Sequence, residues 1–195
     1  AGVRSVSEAM RAVLERVPRL GTETVALDDA CGRVLAADVI AARALPGFDN
    51  SAMDGYAARS AELPASLPVA GVAAAGAALA GPAPVGAAVR IFTGAPLPPE
   101  LDTVVIQEDA RAHAGRVELP ASPPGENVRR AGEDVSIGER VLAAGTRLRP
   151  WDLGVLAALG LARVEVARAP RVALIATGDE LVDVETAPGP GQLVD

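Results

Sequence analysis

The chain has 195 residues, enough to bury one good core or to divide into two or three small ones. All 18 of its basic residues are Arg, which excludes a Walker A phosphate loop and any Schiff-base or lysine general-base chemistry within this chain. Its net charge of −7 argues against non-specific nucleic-acid binding, which needs a basic face.

Half of the residues are apolar, but the surplus is Ala and Val, so its cores must be built from small side chains. Cys31 is the single cysteine, which rules out an internal disulfide and a multi-cysteine zinc site. Its setting, Ala30-Cys31-Gly32, predicts a small buried thiol. No run reaches the ~20 apolar residues of a membrane span. The chain starts on a capped amphipathic segment instead of a signal peptide, so the cytoplasm is the expected location.

Residues 5–17 predict a helix. Val6, Met10, Val13, Leu14 and Val17 form one apolar stripe, Ser5 with Glu8 makes a capping box, and Pro18 and Gly21 stop it. The stripe predicts ordinary packing. Residues 23–27 and 38–42 are short strand candidates, separated by a turn in which Asp28-Asp29 reads as a helix cap. Residues 58–100 are rich in Ala, Gly and Pro. Short strands at 69–73 and 88–92 predict a small β-rich domain. Val104-Val105-Ile106 reads as a buried strand, with residues 116–119 as its hairpin partner. His113 reads as a loop residue. Residues 120–125 form the clearest linker.

Beyond the linker, residues 127–130 are strand-like and Gly132-Glu133-Asp134 is a turn. Residues 139–148 predict a hairpin or β-arch with its bend at Gly145. Residues 150–159 predict a helix with Pro150 in its first turn, Trp151 as a packing anchor and Gly160 as its stop. Residues 163–167 alternate as a strand. Val172-Ala173-Leu174-Ile175-Ala176 reads as a strand buried on both faces of a parallel sheet, followed at its carboxyl end by Thr177-Gly178-Asp179-Glu180, where ligands are expected in open α/β sheets.

The most informative stretch is Phe48-Asp49-Asn50-Ser51-Ala52-Met53-Asp54-Gly55-Tyr56. Two carboxylates, an amide and a hydroxyl lie within six residues, between two of the chain's four aromatic side chains. Gly47 and Asp54-Gly55 predict a bent loop. Two readings follow. Asp, Asn and Ser in a turn can bond their own backbone. Alternatively, the loop can aim acceptors and a hydroxyl at a hydrated divalent metal or a polar ligand. An EF-hand fails on spacing, because the glycine follows Asp54 instead of falling inside the acidic repeat. Thr93-Gly94-Ala95-Pro96, after a strand, could bring a hydroxyl and close backbone to the same ligand. Asp134 could share it from its turn.

The stretch Asp49-Asn50-Ser51-Ala52-Met53-Asp54-Gly55-Tyr56-Ala57 resembles the signature of the MoeA family, the molybdopterin molybdenumtransferases, shared with the E domain of gephyrin. Four further segments agree in order: Arg90-Ile91-Phe92-Thr93-Gly94-Ala95-Pro96-Leu97-Pro98, Val104-Val105-Ile106-Gln107-Glu108, Glu126-Asn127-Val128-Arg129-Arg130-Ala131-Gly132-Glu133-Asp134-Val135 and Ala176-Thr177-Gly178-Asp179-Glu180-Leu181.

The resemblance implies a multidomain α+β protein, elongated and homodimeric. Residues 1–44 and 125–168 would make a discontinuous elongated domain, residues 45–124 an inserted β-rich domain, and residues 169–195 the truncated start of an α/β molybdopterin-binding domain. The family's molybdate-binding basic residues should lie beyond Asp195. The implied reaction is insertion of molybdate into adenylylated molybdopterin with release of AMP, using a divalent cation such as Mg²⁺. The alternatives are a non-catalytic molybdopterin-binding or scaffold protein and, further off, an unrelated metal-dependent phosphohydrolase. By resemblance, Asp54 and Glu180 are the functional and metal-binding carboxylates, Thr93 a polar contact and Asp134 a supporting acid. Asp49, Asn50, Ser51, Thr177, Gly178 and Asp179 would bind the pterin substrate. The molybdopterin adenylyltransferase is the implied protein partner, with no nucleic acid and no membrane, and the 195 residues alone are expected to be inert.

Overall fold

A computed structural model describes residues 4–195. Its elements in chain order begin with α1 (Val6–Leu14), β1 (Thr22–Ala26), β2 (Val39–Ile40), β3 (Asn50–Ser51), β4 (Gly55–Ala58) and β5 (Ala65–Ala73). They continue with β6 (Ala88–Ile91), β7 (Thr103–Ile106), β8 (Arg111–His113), β9 (Arg116–Leu119) and β10 (Val128–Arg129). The last are β11 (Arg140–Leu142), α2 (Pro150–Ala158), β12 (Arg163–Ala167), β13 (Leu181–Val182) and β14 (Leu193–Val194). The fold is mixed α+β with few helices. It divides into two compact units, one of Thr24–Val166 and one of the chain up to Glu23 with Ala167–Asp195.

The larger unit holds a six-stranded sheet in the order β7-β4-β6-β5-β9-β8. Successive side chains of a strand point to opposite faces. Ala57, Val89, Ile91 and Val104 therefore pack into one cluster, and their neighbours Ala58, Ala88 and Val105 into another with Val117 and Leu119. The sheet is buried on both sides by small residues, as the composition requires. A separate cluster joins Ala30, Leu35 and Val39 to Leu148, Leu156 and Val166. It is framed by the strand pairs β1-β12 and β2-β11 and by α2. Pro150 opens α2, and Gly160 (φ 79°) takes up the left-handed turn that ends it.

Several expectations are corrected. β9 does not pair with β7: it pairs with β8 and β5, because Ala114 and Gly115, both at positive φ, close a two-residue turn, while β7 is paired with β4. His113 ends β8 instead of lying in a loop. Cys31 is exposed, since Ala30 takes the buried position before the turn. Trp151 is 64% exposed and anchors nothing; the Arg149 guanidinium stacks over its ring at 4.8 Å.

In the smaller unit, α1 carries the expected capping box. The Ser5 N–H donates to Glu8 Oε2 at 2.8 Å and the Glu8 N–H to Ser5 Oγ at 3.3 Å. Its apolar stripe is exposed instead of packed, with Val6 at 80% and Met10 at 58%. Residues 172–176 form no buried parallel strand. Leu174 is 93% exposed, because a strand needs hydrogen-bonded neighbours and none flanks it among the described residues. Within this unit the parallel pair that forms is β13 with β14. No helix among the described residues is long and apolar enough to cross a membrane.

Candidate functional site

The site is built where β4 begins. β4 lies between β6 and β7, with Gly55 opposite both Ile91 and Ile106. A Cβ on Gly55 would sit 2.0 Å from the Val105 carbonyl oxygen, so only glycine allows the three backbones to close up there. That register sets Asp54, one residue earlier, beside the turn that follows β6. The Thr93 N–H and Oγ1–H both donate to Asp54 Oδ1, at 2.8 and 2.7 Å. These two bonds, the backbone one foremost, with the nearby Arg90 charge, hold the Asp54 carboxyl below the usual carboxylate range. Asp54 Oδ2 accepts no hydrogen bond among the described residues. The result is an ionised, oriented, half-buried carboxylate with one oxygen open.

The loop before Asp54 is stitched to the same turn. The Gly94 N–H donates to the Ser51 carbonyl at 2.8 Å, the Ser51 N–H to the Ala95 carbonyl at 3.0 Å, and the Leu97 N–H to the Asp49 carbonyl at 2.9 Å. Asn50 and Ser51 are buried and bond locally: Asn50 Nδ2 donates to the Phe48 carbonyl at 3.1 Å, and Ser51 Oγ to the Met53 carbonyl at 2.5 Å. This is the self-bonding turn of the first reading, and it shapes the loop that presents Asp54.

Asp49 faces the segment after β10. Its Oδ2 pairs with Arg130 at 2.6 Å and its Oδ1 accepts the Ala131 N–H at 2.8 Å, which lowers its pKa. Asp134 pairs with Arg129 at 2.5 Å, and β10 places Arg129 opposite Asn50. The only adjacent basic pair in the middle of the chain, Arg129-Arg130, is therefore neutralised by the acidic residues around it. The ion pairs are partly exposed, so they serve register more than stability.

The structure thus brings Asp54 and Thr93 into contact and ties Asp49, Asn50, Ser51 and Asp134 to the adjoining β3-β10 pair. Thr177, Gly178, Asp179 and Glu180 lie in the smaller unit and are exposed. The Glu180 carboxylate folds back over Gly178, where a Cβ would meet it at 2.5 Å. Among the described residues no three His, Cys, Asp or Glu side chains gather as a metal cage.

Sequence reasoning missed Arg90 and Gln107. Arg90 Nη1 donates to the Gly55 carbonyl at 2.9 Å and Nη2 to Gln107 Oε1 at 2.7 Å. The signal was present as a lone charge inside the apolar strand Ala88-Val89-Arg90-Ile91.

Residues 4–160 match the family model described as the MoeA N-terminal region (domain I and II). The chain is 41% identical over 196 residues to the molybdopterin molybdenumtransferase of Haemophilus influenzae, covering 98% of this chain and 48% of that protein. It is 41% identical over 203 residues to the Nostoc sp. protein of the same name, covering 98% and 47%. The solved molybdopterin biosynthesis MoeA protein of Pyrococcus horikoshii superposes with a TM-score of 0.88 at 35% identity, over 96% of this chain and 52% of that one. The chain spans about half the length of the curated relatives it matches.

Proposed function

Because the chain belongs to the MoeA family, by that family's N-terminal region, we propose that it serves molybdenum cofactor biosynthesis as part of a molybdopterin molybdenumtransferase. The reaction is insertion of molybdate into adenylylated molybdopterin with release of AMP. The observation that carries this reading is the Asp54–Thr93 pair, a carboxylate kept ionised with one oxygen open.

Mg²⁺ is commonly held by one or two carboxylates with substrate phosphates and water, not by an all-protein cage. Asp54 Oδ2 suits that role even though no three-ligand cluster exists among the described residues. When bound, the cation would offset phosphate charge and orient an oxygen. Thr93 holds the Asp54 carboxylate in one rotamer. Asp49, Asn50 and Ser51 shape the loop, and Asp134 supports it through Arg129. Thr177, Gly178 and Asp179 are proposed as substrate contacts, with Glu180 as a second functional carboxylate. Homodimerisation, a cytoplasmic setting and the adenylyltransferase as partner belong to the same proposal. So does division into 1–44 with 125–168, 45–124 and 169–195. The separation of buried clusters supports that division, one cluster drawn from residues 30–41 and 148–166 and the others from 57–119.

The test is AMP release and cofactor formation from adenylylated molybdopterin, molybdate and Mg²⁺. It uses a protein that carries this chain within the full length of its relatives. Asp54→Asn is expected to cost at least about a hundredfold in kcat, with an unchanged circular dichroism spectrum. The 195 residues alone are expected to give no turnover. Full activity in Asp54→Asn overturns the role of Asp54. Substrate binding without turnover in the wild type replaces the transferase with a binding or scaffold role.

A further inference from the structure

Arg90 sits on β6 directly opposite Tyr56 of β4, and Phe92 follows two residues later on the same face of the sheet. Its guanidinium lies 5.1 Å from the Tyr56 ring centroid and 4.6 Å from that of Phe92. A guanidinium stacked on two rings loses rotamer freedom and is held as a rigid plate. The plate donates to the Gly55 carbonyl and to Gln107 Oε1, while the Gln107 N–H donates to the Asp54 carbonyl at 3.0 Å. A closed ring of bonds therefore runs from Arg90 through Gly55 and Asp54 to Gln107 and back. Unlike Arg129 and Arg130, Arg90 forms no ion pair among the described residues. Its charge lies near the Asp54 carboxylate without a direct ion pair to it.

We infer that Arg90 is a positioning residue for the reaction proposed above: the aromatic-clamped guanidinium fixes the backbone from the Asp54 carbonyl through Gly55 and so aims the open carboxylate oxygen. The inference rests on the transferase reading for its kinetic consequence, and on geometry alone for its structural one.

The experiment compares Arg90→Met, which keeps the apolar stem but removes the guanidinium, with Arg90→Lys, which keeps the charge but not the fork. Arg140→Met, on the exposed pair with Asp38, is the control. In the 195-residue chain, the Thr93 amide is followed by NMR at a fixed neutral pH. Arg90→Met is expected to shift the Thr93 amide, which reports the position of the Asp54 carboxylate. Arg90→Lys, which lacks the fork, should shift the amide as well, and the control should leave it in place. In the full-length protein, both Arg90 variants are expected to lower kcat by about tenfold or more, with KM within about a factor of two.

An Arg90→Met variant that melts cooperatively, yet keeps the wild-type Thr93 amide shift, overturns the inference. If Arg90→Met fails to fold, Gln107→Leu breaks the same ring from the other side and must move the Thr93 amide; an unmoved amide is equally fatal. Absence of turnover in every full-length form, with the NMR changes present, overturns the transferase reading and leaves the positioning role standing.

Discussion

Two stretches of this chain share a plan, an apolar run followed by Thr-Gly. Val89-Arg90-Ile91-Phe92-Thr93-Gly94 lies in the six-stranded sheet, and Val172-Ala173-Leu174-Ile175-Ala176-Thr177-Gly178 lies in the smaller unit. In the first, Ile91 is fully buried and Thr93 meets Asp54 through two bonds. In the second, Ile175 is 84% exposed and the run is not a strand. An apolar run becomes a strand only when neighbours satisfy its backbone, and a Thr-Gly turn becomes a site only when an adjoining strand delivers a partner to it.

The sharpest way to break this contrast is at Gly55, whose missing Cβ lets the partner strands close. Gly55→Ala is expected to cost about 4 kcal/mol or more and to abolish the cooperative melt, because the clash is with backbone and cannot relax by a rotamer change. The next effect compares the two runs directly. Ile91→Ala should lose about 3 kcal/mol in urea unfolding, as for other buried large-to-small changes. Ile175→Ala in the same 195 residues should stay within about 0.5 kcal/mol.

Thr93→Val is the third probe, and its signature is in pH. The folded pKa of Asp54 is depressed, so its contribution to stability is present above the unfolded carboxylate range and is lost as pH falls through the folded value. Removing the hydroxyl should raise the folded value. The acid limb of a stability–pH curve then moves to higher pH in Thr93→Val, and an unmoved limb would show that the hydroxyl bond contributes nothing. The smallest effect is expected from Thr177→Val, which should leave both the melting temperature and the acid limb unchanged.

The sequence was legible where local rules decide. The Ser5–Glu8 box, the Pro150 start and Gly160 stop of α2, and the alternation of β12 all form as expected. It was less legible where pairing decides. Nothing local to residues 116–119 says that a two-residue turn will hand them to β8, and nothing in 172–176 reveals the lack of neighbours. The Asp54 loop announced itself by its polar density. Thr93 was marked by its Thr-Gly turn after a strand, but its two bonds to Asp54 and the Arg90–Gln107 ring depend on the register of β4 against β6, a long-range property that residue types alone do not encode.

Cys31, exposed in its turn after Ala30, is also the chain's single thiol. One maleimide fluorophore or spin label can therefore be attached at a known address without prior mutagenesis, and a second cysteine introduced elsewhere would complete a distance pair. The same exposure leaves the thiol open to oxidation, so a reductant belongs in any measurement of the association state.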